Sequence, residues 1–320
     1  MIRSLRSYFG CLLGLSLGVT FCVAMQQPAP APTALTTLSL IVTDQADHAI
    51  DEVQKEDIQI VDEGVPQTIL AITKDERPVY YSLVIDASGS FARVFEPAIR
   101  SARLIIDSNR AGDETFVETF ISSDKIETVQ EFTADRALLT KALDSMYVRG
   151  GQSAVIDAIY LAVQHTAEHR SSDSHRRALV VFSDCEDRAS YYSEDQLMKL
   201  IRQNRVQVFV VGFISVLDDQ RGLMRPSQRD KAERLASRLA AETGGRAFYP
   251  KDGKELLKAT DEIMHDLHSQ FAISYERQGK PSDKKFRKVK ATTSGSAKIK
   301  AIVPLGYPLS RAPEQGNKRP

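Results

Sequence analysis

The stretch VYYSLVIDASGS, residues 79–90, contains the strongest indication of the fold. Its first part, Val79 to Ile85, is an almost continuous apolar run, and Asp86, Ser88 and Ser90 follow it directly. A strand that is apolar on both faces belongs in a sheet that helices cover on both sides. The stretch therefore predicts a buried strand that ends in a loop of carboxylate and hydroxyl side chains.

The sequence around this stretch alternates buried strands with amphipathic helices. Ala178–Phe182 and Val206–Phe213 are apolar throughout, and Thr115–Ile121 with Ile126–Phe132 reads as a hairpin. This alternation predicts an α/β domain over residues 78–270, with a doubly wound, mostly parallel sheet and helices on both faces. The predicted helices are Val94–Ser108, Asp135–Met146, Ala154–His169, Glu194–Asn204, Asp230–Glu242 and Lys254–His268.

Two β-rich segments flank the predicted α/β domain. Residues 37–77 and 271–308 show short strand patterns separated by turn residues, and we expect them to join in one small β unit. Residues 25–36 are rich in proline and predict an extended linker. Residues 309–320 are polar and predict a flexible tail.

Residues 1–24 have the pattern of a secretory signal peptide. Arg3 and Arg6 precede an uncharged apolar run from Tyr8 to Val23, and the small residue Ala24 marks the expected cleavage point. The alternative is an uncleaved anchor, but the apolar run is shorter than the ~20 residues of a membrane-spanning helix. We therefore expect an exported protein in the periplasm, cell envelope or extracellular space. Membrane contact is expected only through this segment, if it is not cleaved.

The composition is that of an ordinary folded protein without a charge bias. Of 320 residues, 42 are Lys or Arg and 42 are Asp or Glu, so no global charge excess indicates nucleic-acid binding. The basic run Lys284–Lys290 is interpreted as the exposed face of a strand, with polyanion contact as the alternative. Two of the three cysteines lie in the signal segment, which leaves Cys185 without an intrachain partner.

Three strand ends carry side chains suited to a hard metal ion. Ligands of open α/β sheets bind in the crevice beyond the carboxyl ends of the strands, where Asp86, Ser88 and Ser90 are expected. Ser153 follows two glycines before a predicted helix, and Asp184 follows another buried strand. Hydroxyls with few carboxylates suit Mg²⁺, which keeps open positions in a six-coordinate shell. The alternative is that the first loop merely caps a helix.

This order of motifs resembles the metal-ion-dependent adhesion site (MIDAS) of von Willebrand factor type A domains. The resemblance implies that Ser88, Ser90 and Ser153 ligate the metal directly, whereas Asp86 and Asp184 act mainly through bound water. Ser153 stands where the family usually has threonine, so the hydroxyl is kept and a methyl group is lost.

Further segments resemble an exported subgroup of these proteins that is abundant in acidobacteria. They are Asp57–Gly64, Glu242–Phe248, Gln270–Tyr275 and Gly306–Tyr307. The resemblance implies an exported, non-enzymatic binding or adhesion protein with one divalent cation, Mg²⁺ or else Mn²⁺ or Ca²⁺. It further implies a protein partner whose Asp or Glu carboxylate completes the coordination of the metal.

Two other functions are weighed against this hypothesis. His165-Thr166-Ala167-Glu168-His169 matches the His-x-x-Glu-His pattern of one class of zinc hydrolase. The motif falls at the polar end of a predicted helix, where histidines favour the helix dipole, so a solvated helix end is preferred. The other alternative is a metal-free structural domain, which would show no effect of Mg²⁺ on stability.

Overall fold

The structure, a computed structural model, describes residues 35–169, 174–217, 226–278, 286–294 and 298–308. The predicted signal peptide, almost all of the linker and the predicted tail lie outside these residues. The strands are β1 Leu35–Asp44, β2 Ile58–Asp62, β3 Val65–Gln67, β4 Ile69–Lys74, β5 Val79–Asp86, β6 Glu114–Phe120, β7 Ile126–Thr133, β8 Arg176–Ser183, β9 Gln207–Gly212, β10 Ala247–Phe248, β11 Phe271–Glu276, β12 Phe286–Thr293, β13 Ile299–Ile302 and β14 Gly306–Pro308. The helices are α1 Phe95–Asp107, α2 Arg136–Asp144, α3 Val155–Glu168, α4 Glu194–Asn204, α5 Gln228–Thr243 and α6 Gly253–His268.

A six-stranded sheet forms the centre of the α/β part. Its strand order is β10-β9-β8-β5-β6-β7. All neighbours are parallel except β6 and β7, which form the predicted antiparallel hairpin. The predicted fold class, a mostly parallel sheet between helices with β-rich additions, is confirmed.

Alternating side chains of the central strands fill two separate cores. Leu83 and Ile85 of β5 pack in the core that includes residues of α1, α2 and α6. Val84 points to the other face and packs with residues of α3, α4 and α5. Each fully buried aliphatic side chain contributes roughly 1.5–3 kcal/mol, so burial on both faces holds β5 rigidly in the middle of the sheet.

Polar residues at the helix ends determine where the helices begin. Ser227 accepts a hydrogen bond from the Asp230 amide and Asp230 accepts one from the Ser227 amide, which forms a capping box. The helix α5 therefore begins at Gln228, two residues before the predicted start. It ends at Thr243, and the next residue, Gly244, adopts the left-handed conformation that glycine tolerates without strain.

The β-rich segments form two four-stranded sheets with a shared core. The strand orders are β13-β1-β11-β4 and β14-β12-β2-β3, so strands from both segments pair in each sheet. Side chains from both sheets form one apolar cluster that contains Leu40, Ile60, Ile273 and Val289. The expected joint β unit is present, as two facing sheets rather than one.

The basic run shows how one strand serves two environments. Lys288 and Lys290 of β12 are exposed, as expected for an outer face. Arg287 precedes them on the same strand but is buried, and its Nε donates to Asp62 Oδ1 at 2.8 Å. The interpretation of the whole run as exposed is therefore wrong for Arg287, because alternation turns this residue into the β core.

Among the described residues, no helix is both long enough and apolar enough to cross a membrane.

Candidate metal site at the carboxyl edge of the sheet

The candidate site lies at the end of β5, the strand from which the chain extends the sheet first to one side and later to the other. Strand β5 pairs with β6 on one side and with β8 on the other. Helix α1 follows β5 on one face, while α3 precedes β8 on the opposite face. The carboxyl ends of β5 and β8 therefore border a crevice of the kind in which open α/β sheets bind ligands.

The first loop presents Asp86, Ser88 and Ser90. Asp86 is fully buried at the end of β5, and its Oδ1 accepts a hydrogen bond from the Ser88 amide at 2.8 Å. The Ser88 and Ser90 hydroxyl oxygens lie 3.2 Å apart, with Ser88 buried and Ser90 exposed. The loop thus brings a row of oxygen atoms from the buried sheet end out to solvent.

The second loop holds Ser153 against the first. The Ser153 hydroxyl donates to Asp86 Oδ2 at 3.2 Å. Backbone hydrogen bonds anchor the loop at both ends, from the Arg149 amide to the Ala87 carbonyl at 3.1 Å and from the Ala154 amide to the Ile121 carbonyl at 3.1 Å. Gly151, with a φ of +122°, passes so close to Ile121 that a Cβ would lie 2.4 Å from its Cγ2. Glycine is therefore required for this approach.

The third loop contributes Asp184, which is fully buried. Its Oδ1 accepts a hydrogen bond from the Glu186 amide at 2.9 Å, whereas its Oδ2 is buried without a hydrogen-bond partner. Buried carboxylate oxygens are normally satisfied, so this one retains the capacity to accept from a donor or to face a cation. The structure thus brings the five residues predicted for the metal site to one edge of the sheet.

Ser183 belongs to this group but is absent from the predicted ligands. Its hydroxyl donates to Asp86 Oδ2 at 2.7 Å and accepts from the Cys185 amide at 2.9 Å. Strand alternation puts Asp86 and Ser183 on the same face, and the register pairs Ile85 with Phe182 just before them. The serine was visible in the sequence beside Asp184, but the register that places it against Asp86 was not.

The electrostatics of the site favour a cation. Burial raises the pKa of Asp86 to about 6, and the neighbouring Asp184 charge adds to the rise. Burial also raises the pKa of Asp184, which the nearby Ser90 hydroxyl and the Glu186 amide oppose. Two buried carboxyl groups that disfavour each other's ionisation are stabilised when a positive charge lies between them. The residues present therefore fit a small divalent cation.

The side chains of this site differ from those of metal centres that are built from histidine or cysteine. Within the described ranges, no group of three or more His, Cys, Asp or Glu side chains is arranged to hold a metal. The carboxyl-edge site instead combines two carboxylates with serine hydroxyls. All of these are hard oxygen donors, which suit Mg²⁺, Ca²⁺ and Mn²⁺ better than they suit zinc.

Contacts beyond the candidate ligands hold the third loop in place. The Ser153 carbonyl accepts hydrogen bonds from the Arg188 amide at 2.9 Å and the Ala189 amide at 3.2 Å. Asp157, in the first turn of α3, accepts from the Tyr191 amide at 2.7 Å and the Tyr192 amide at 2.8 Å. Asp157 was not predicted to have a role, because an acidic residue in a first helical turn is common for electrostatic reasons alone.

Two exposed tyrosines lie in or next to the loops that form the site. Tyr147, in the segment before the second loop, is 61% exposed, and Tyr191, at the end of the third, is 85% exposed. The Arg149 guanidinium lies over the Tyr147 ring, 5.1 Å from its centroid. Exposed aromatic and arginine side chains are the residue types that contribute most at protein interfaces.

The His-x-x-Glu-His motif lies at the other end of α3, away from this edge. His165 Nε2 is 2.9 Å from Glu131 Oε2, and His169 Nε2 is 3.1 Å from Glu114 Oε2. Both imidazole rings stack on Phe132. The predicted solvated helix end is wrong for His169, whose side chain is only 20% exposed. The two histidines face separate carboxylates instead of converging on a third ligand.

Comparisons with known proteins were made with curated sequences and with solved structures. No curated protein matches the chain. The solved structures that match this chain include an aerotolerance-related membrane protein from Bacteroides fragilis, with 19% identity over 58% of this chain and 98% of that chain and a TM-score of 0.44. Another is a von Willebrand factor type A structure from Catenulispora acidiphila, with 11% identity over 85% and 72% of the chains and a TM-score of 0.46. A third is proximal thread matrix protein 1 from the mussel byssus with a zinc-occupied MIDAS motif, with 14% identity over 63% and 48% and a TM-score of 0.47.

The family assignment rests on the sequence itself. The model of the von Willebrand factor type A domain matches residues 82–262, which is more than half of the chain. The matched region runs from β5 to α6 and includes all three loops of the candidate site. The chain therefore belongs to the von Willebrand factor type A domain family.

Proposed function

We propose that this chain is an exported, non-enzymatic binding protein that recognises a protein partner through a divalent cation, with Mg²⁺ as the first candidate. The observation that carries this proposal is the buried Asp184 Oδ2, which lacks a hydrogen-bond partner and lies near Asp86, another buried carboxylate. Domains of this family are generally binding domains rather than enzymes. The proposed metal-holding residues are Asp86, Ser88, Ser90, Ser153 and Asp184.

The residues of the site divide the work between direct ligation and charge. Ser88, Ser90 and Ser153 supply hydroxyl oxygens to the cation. Asp86 orients Ser153 by accepting its hydrogen bond, while Ser183 donates to the same Asp86 oxygen. Asp86 and Asp184 supply negative charge, mainly through bound water. A shell with so few carboxylates leaves the cation with unneutralised charge.

When bound, the cation supplies a positive centre and an open coordination position that an Asp or Glu carboxylate of a partner can fill. Ser90 is the exposed end of the first loop, so the partner approaches from that side. The exposed Tyr147 and Tyr191, in or next to the loops of the site, offer apolar and hydrogen-bonding contacts to the partner. Carboxylate and aromatic contacts together give the partner both charge and shape to match.

Export is the second part of the proposal. It is supported by the charged and apolar pattern of residues 1–24, which is that of a signal peptide. Within the family, we place the chain in the exported bacterial subgroup that the segments Asp57–Gly64 and Gly306–Tyr307 resemble. Periplasm, cell envelope and extracellular space are all consistent with this placement.

A thermal-shift experiment tests the metal site. Mg²⁺ should raise the melting temperature of the wild-type chain, because a ligand at 100 times its Kd stabilises the native state by about 2.7 kcal/mol. Asp86→Asn should remove this response, since it keeps the shape of the side chain and deletes its charge. Asp261→Asn, at an exposed position of α6, is the matched control and should respond as the wild type does.

Equal responses of wild type and Asp86→Asn would contradict the site. No response in any of the three proteins would favour the metal-free structural domain. The partner is sought by pull-down from envelope extract, with Mg²⁺ in one arm and a chelator in the other. A protein retained equally in both arms would contradict metal-mediated recognition, and zinc analysis with a peptidase assay tests the hydrolase alternative.

A further inference from the structure

A cavity of about 420 Å³ lies at the amino-terminal edge of the central sheet, opposite the candidate metal site. Its walls come from the starts of β8 and β9, the ends of α4 and α5, and strands β1 and β14. The volume falls in the range of roughly 300–1,000 Å³ that is typical of small-molecule sites. The cavity therefore has the size of a ligand site although no predicted functional residue borders it.

The cavity wall is strongly cationic. Five arginines line it, with Glu242 as the one carboxylate among the lining residues. Arg202 is neutralised by Glu242, at 2.8 and 2.5 Å, and Arg77 is neutralised by Asp75, at 2.8 and 2.6 Å. The remaining lining arginines are Arg176, Arg177 and Arg205, and none of them forms an ion pair with a described carboxylate.

Arg176 is the most unusual of these residues because it is buried without a hydrogen-bonded counter-ion. It is 9% exposed, and its hydrogen bonds go to carbonyl groups, from Nη2 to Leu267 at 2.6 Å and from Nε to Arg77 at 3.4 Å. Its Nη1 is buried without a partner, as is the Nε of Arg177. Burial lowers the pKa of Arg176, against the opposing influence of the Asp75 charge. A buried cation that lacks a direct partner is strongly destabilising unless an anion accompanies it.

A buried acceptor in the same wall adds a second requirement. Gln270 is 1% exposed, and its Nε2 donates to Gln207 Oε1 at 2.5 Å. Its Oε1 is buried without a hydrogen-bond partner. A ligand that pairs with all of these groups therefore has an anionic group, which accepts hydrogen bonds from the arginines. It also has a hydroxyl or similar donor for Gln270 Oε1.

We propose that this cavity binds a small hydroxylated oxyanion, a phosphate ester or a hydroxycarboxylate, through Arg176 and Arg177. The planar guanidinium group is suited to phosphate and carboxylate oxygens because it presents N–H donors in a fixed fork. The cavity and the carboxyl-edge site lie at opposite ends of the strands, so this binding is independent of the proposed metal. The inference therefore stands whether or not the chain binds Mg²⁺.

Thermal shift with defined probes tests the proposal on the full chain. The probes are glycerol 3-phosphate, a phosphate ester, and malate, a hydroxycarboxylate. Each is compared with chloride at matched ionic strength and in the presence of a chelator. At least one should raise the melting temperature of the wild type. Arg177→Gln should lose most of that rise, because this half-buried residue faces the cavity and its loss is compatible with folding.

Arg100→Gln, at an exposed position of α1, is the matched control and should keep the full rise. A response to glycerol 3-phosphate alone identifies a phosphate ester, and a response to malate alone identifies a hydroxycarboxylate. The proposal is overturned if neither probe exceeds chloride in the wild type. It is equally overturned if Arg177→Gln responds like Arg100→Gln, because the anion then binds elsewhere.

Discussion

Ser153 connects the three loops of the metal site at the scale of one residue. Its hydroxyl donates to Asp86 in the first loop, and its carbonyl accepts from the amides of Arg188 and Ala189 in the third. The residue is buried, so its side chain cannot turn freely into solvent. We therefore propose two tasks for this serine: its backbone positions the third loop, and its hydroxyl faces the cation.

Substitutions at Ser153 separate these two tasks. Ser153→Ala keeps the backbone contacts and deletes the oxygen, so we expect Mg²⁺ affinity to fall about tenfold or more with little change in fold. Ser153→Thr keeps the hydroxyl and restricts its rotamers, so affinity should be retained or increased. Isothermal titration with Mg²⁺ measures both variants. If Ser153→Ala bound Mg²⁺ as tightly as the wild type, the second loop would be a turn without a role in metal binding.

Residues of the metal site could be predicted from the sequence where their type and their position at the end of a strand were sufficient to identify them. A carboxylate and two hydroxyls after a buried strand identify Asp86, Ser88 and Ser90 without knowledge of the register. Ser183 needed the pairing of β5 with β8, and Arg176 needed the packing of the β sheets against the α/β part. Contacts between residues far apart in sequence follow from topology and packing, which a local pattern does not contain.

Strand β6 shows at the element scale how a buried strand tolerates a charged residue. Glu118 is buried, on the same face of the strand as Phe116 and Phe120, and its Oε1 has no hydrogen-bond partner. Burial raises its pKa to about 8. The folded protein therefore holds a proton on Glu118 at neutral pH, whereas the unfolded chain has lost it above a pH of about 4.3.

This difference makes the stability of the wild type fall as the pH rises. Between a pH of about 4.3 and 8 the native state binds one proton more at Glu118, which lowers the free energy of unfolding by at most about 1.4 kcal/mol per pH unit. Glu118→Gln should remove that contribution, so the free energy of unfolding of the variant should rise relative to that of the wild type from pH 5 to pH 8. Urea unfolding across this range, with exposed Glu96→Gln as control, measures the difference. Parallel curves for wild type and Glu118→Gln would refute the buried protonated state.

The secondary-structure elements themselves were predicted well where periodicity is long. Helix α4 begins and ends at the predicted residues, because eleven residues carry a complete amphipathic pattern and a capping serine precedes it. The strands β3, β10 and β14 were not predicted, since each has only two or three residues. Pairing with longer strands creates them, and no local pattern of that length distinguishes a strand from a turn.

At the scale of the whole molecule, the two candidate sites lie at opposite ends of the central strands. The carboxyl edge holds the proposed metal site, and the amino edge holds the arginine-lined cavity between the sheet and the β sandwich. Strands from both ends of the described chain build the sandwich, so the integrity of this part depends on contacts between distant segments. Asp62 lies at their centre, where Arg287, Tyr275 and Tyr307 donate to its carboxylate at 2.8, 3.0 and 2.7 Å.

The buried network around Asp62 should contribute strongly to the stability of the whole chain. Asp62→Asn removes the counter-charge of Arg287, whose side chain is only 4% exposed, so the variant holds an uncompensated buried cation. We expect the free energy of unfolding to fall by about 3–5 kcal/mol. The double variant Asp62→Asn/Arg287→Met should recover a large part of the loss, because the cation is removed together with its partner.

Urea unfolding followed by circular dichroism measures both variants against exposed Lys290→Gln, which should unfold as the wild type does. Since Asp62 lies in the sandwich, the Mg²⁺ response of the folded Asp62→Asn chain should remain. Should Asp62→Asn unfold at the wild-type urea concentration, the network contributes nothing to stability. Should the single variant lose stability and the double variant fail to recover it, the hydroxyl contacts of Tyr275 and Tyr307 would account for the stabilisation instead of the ion pair.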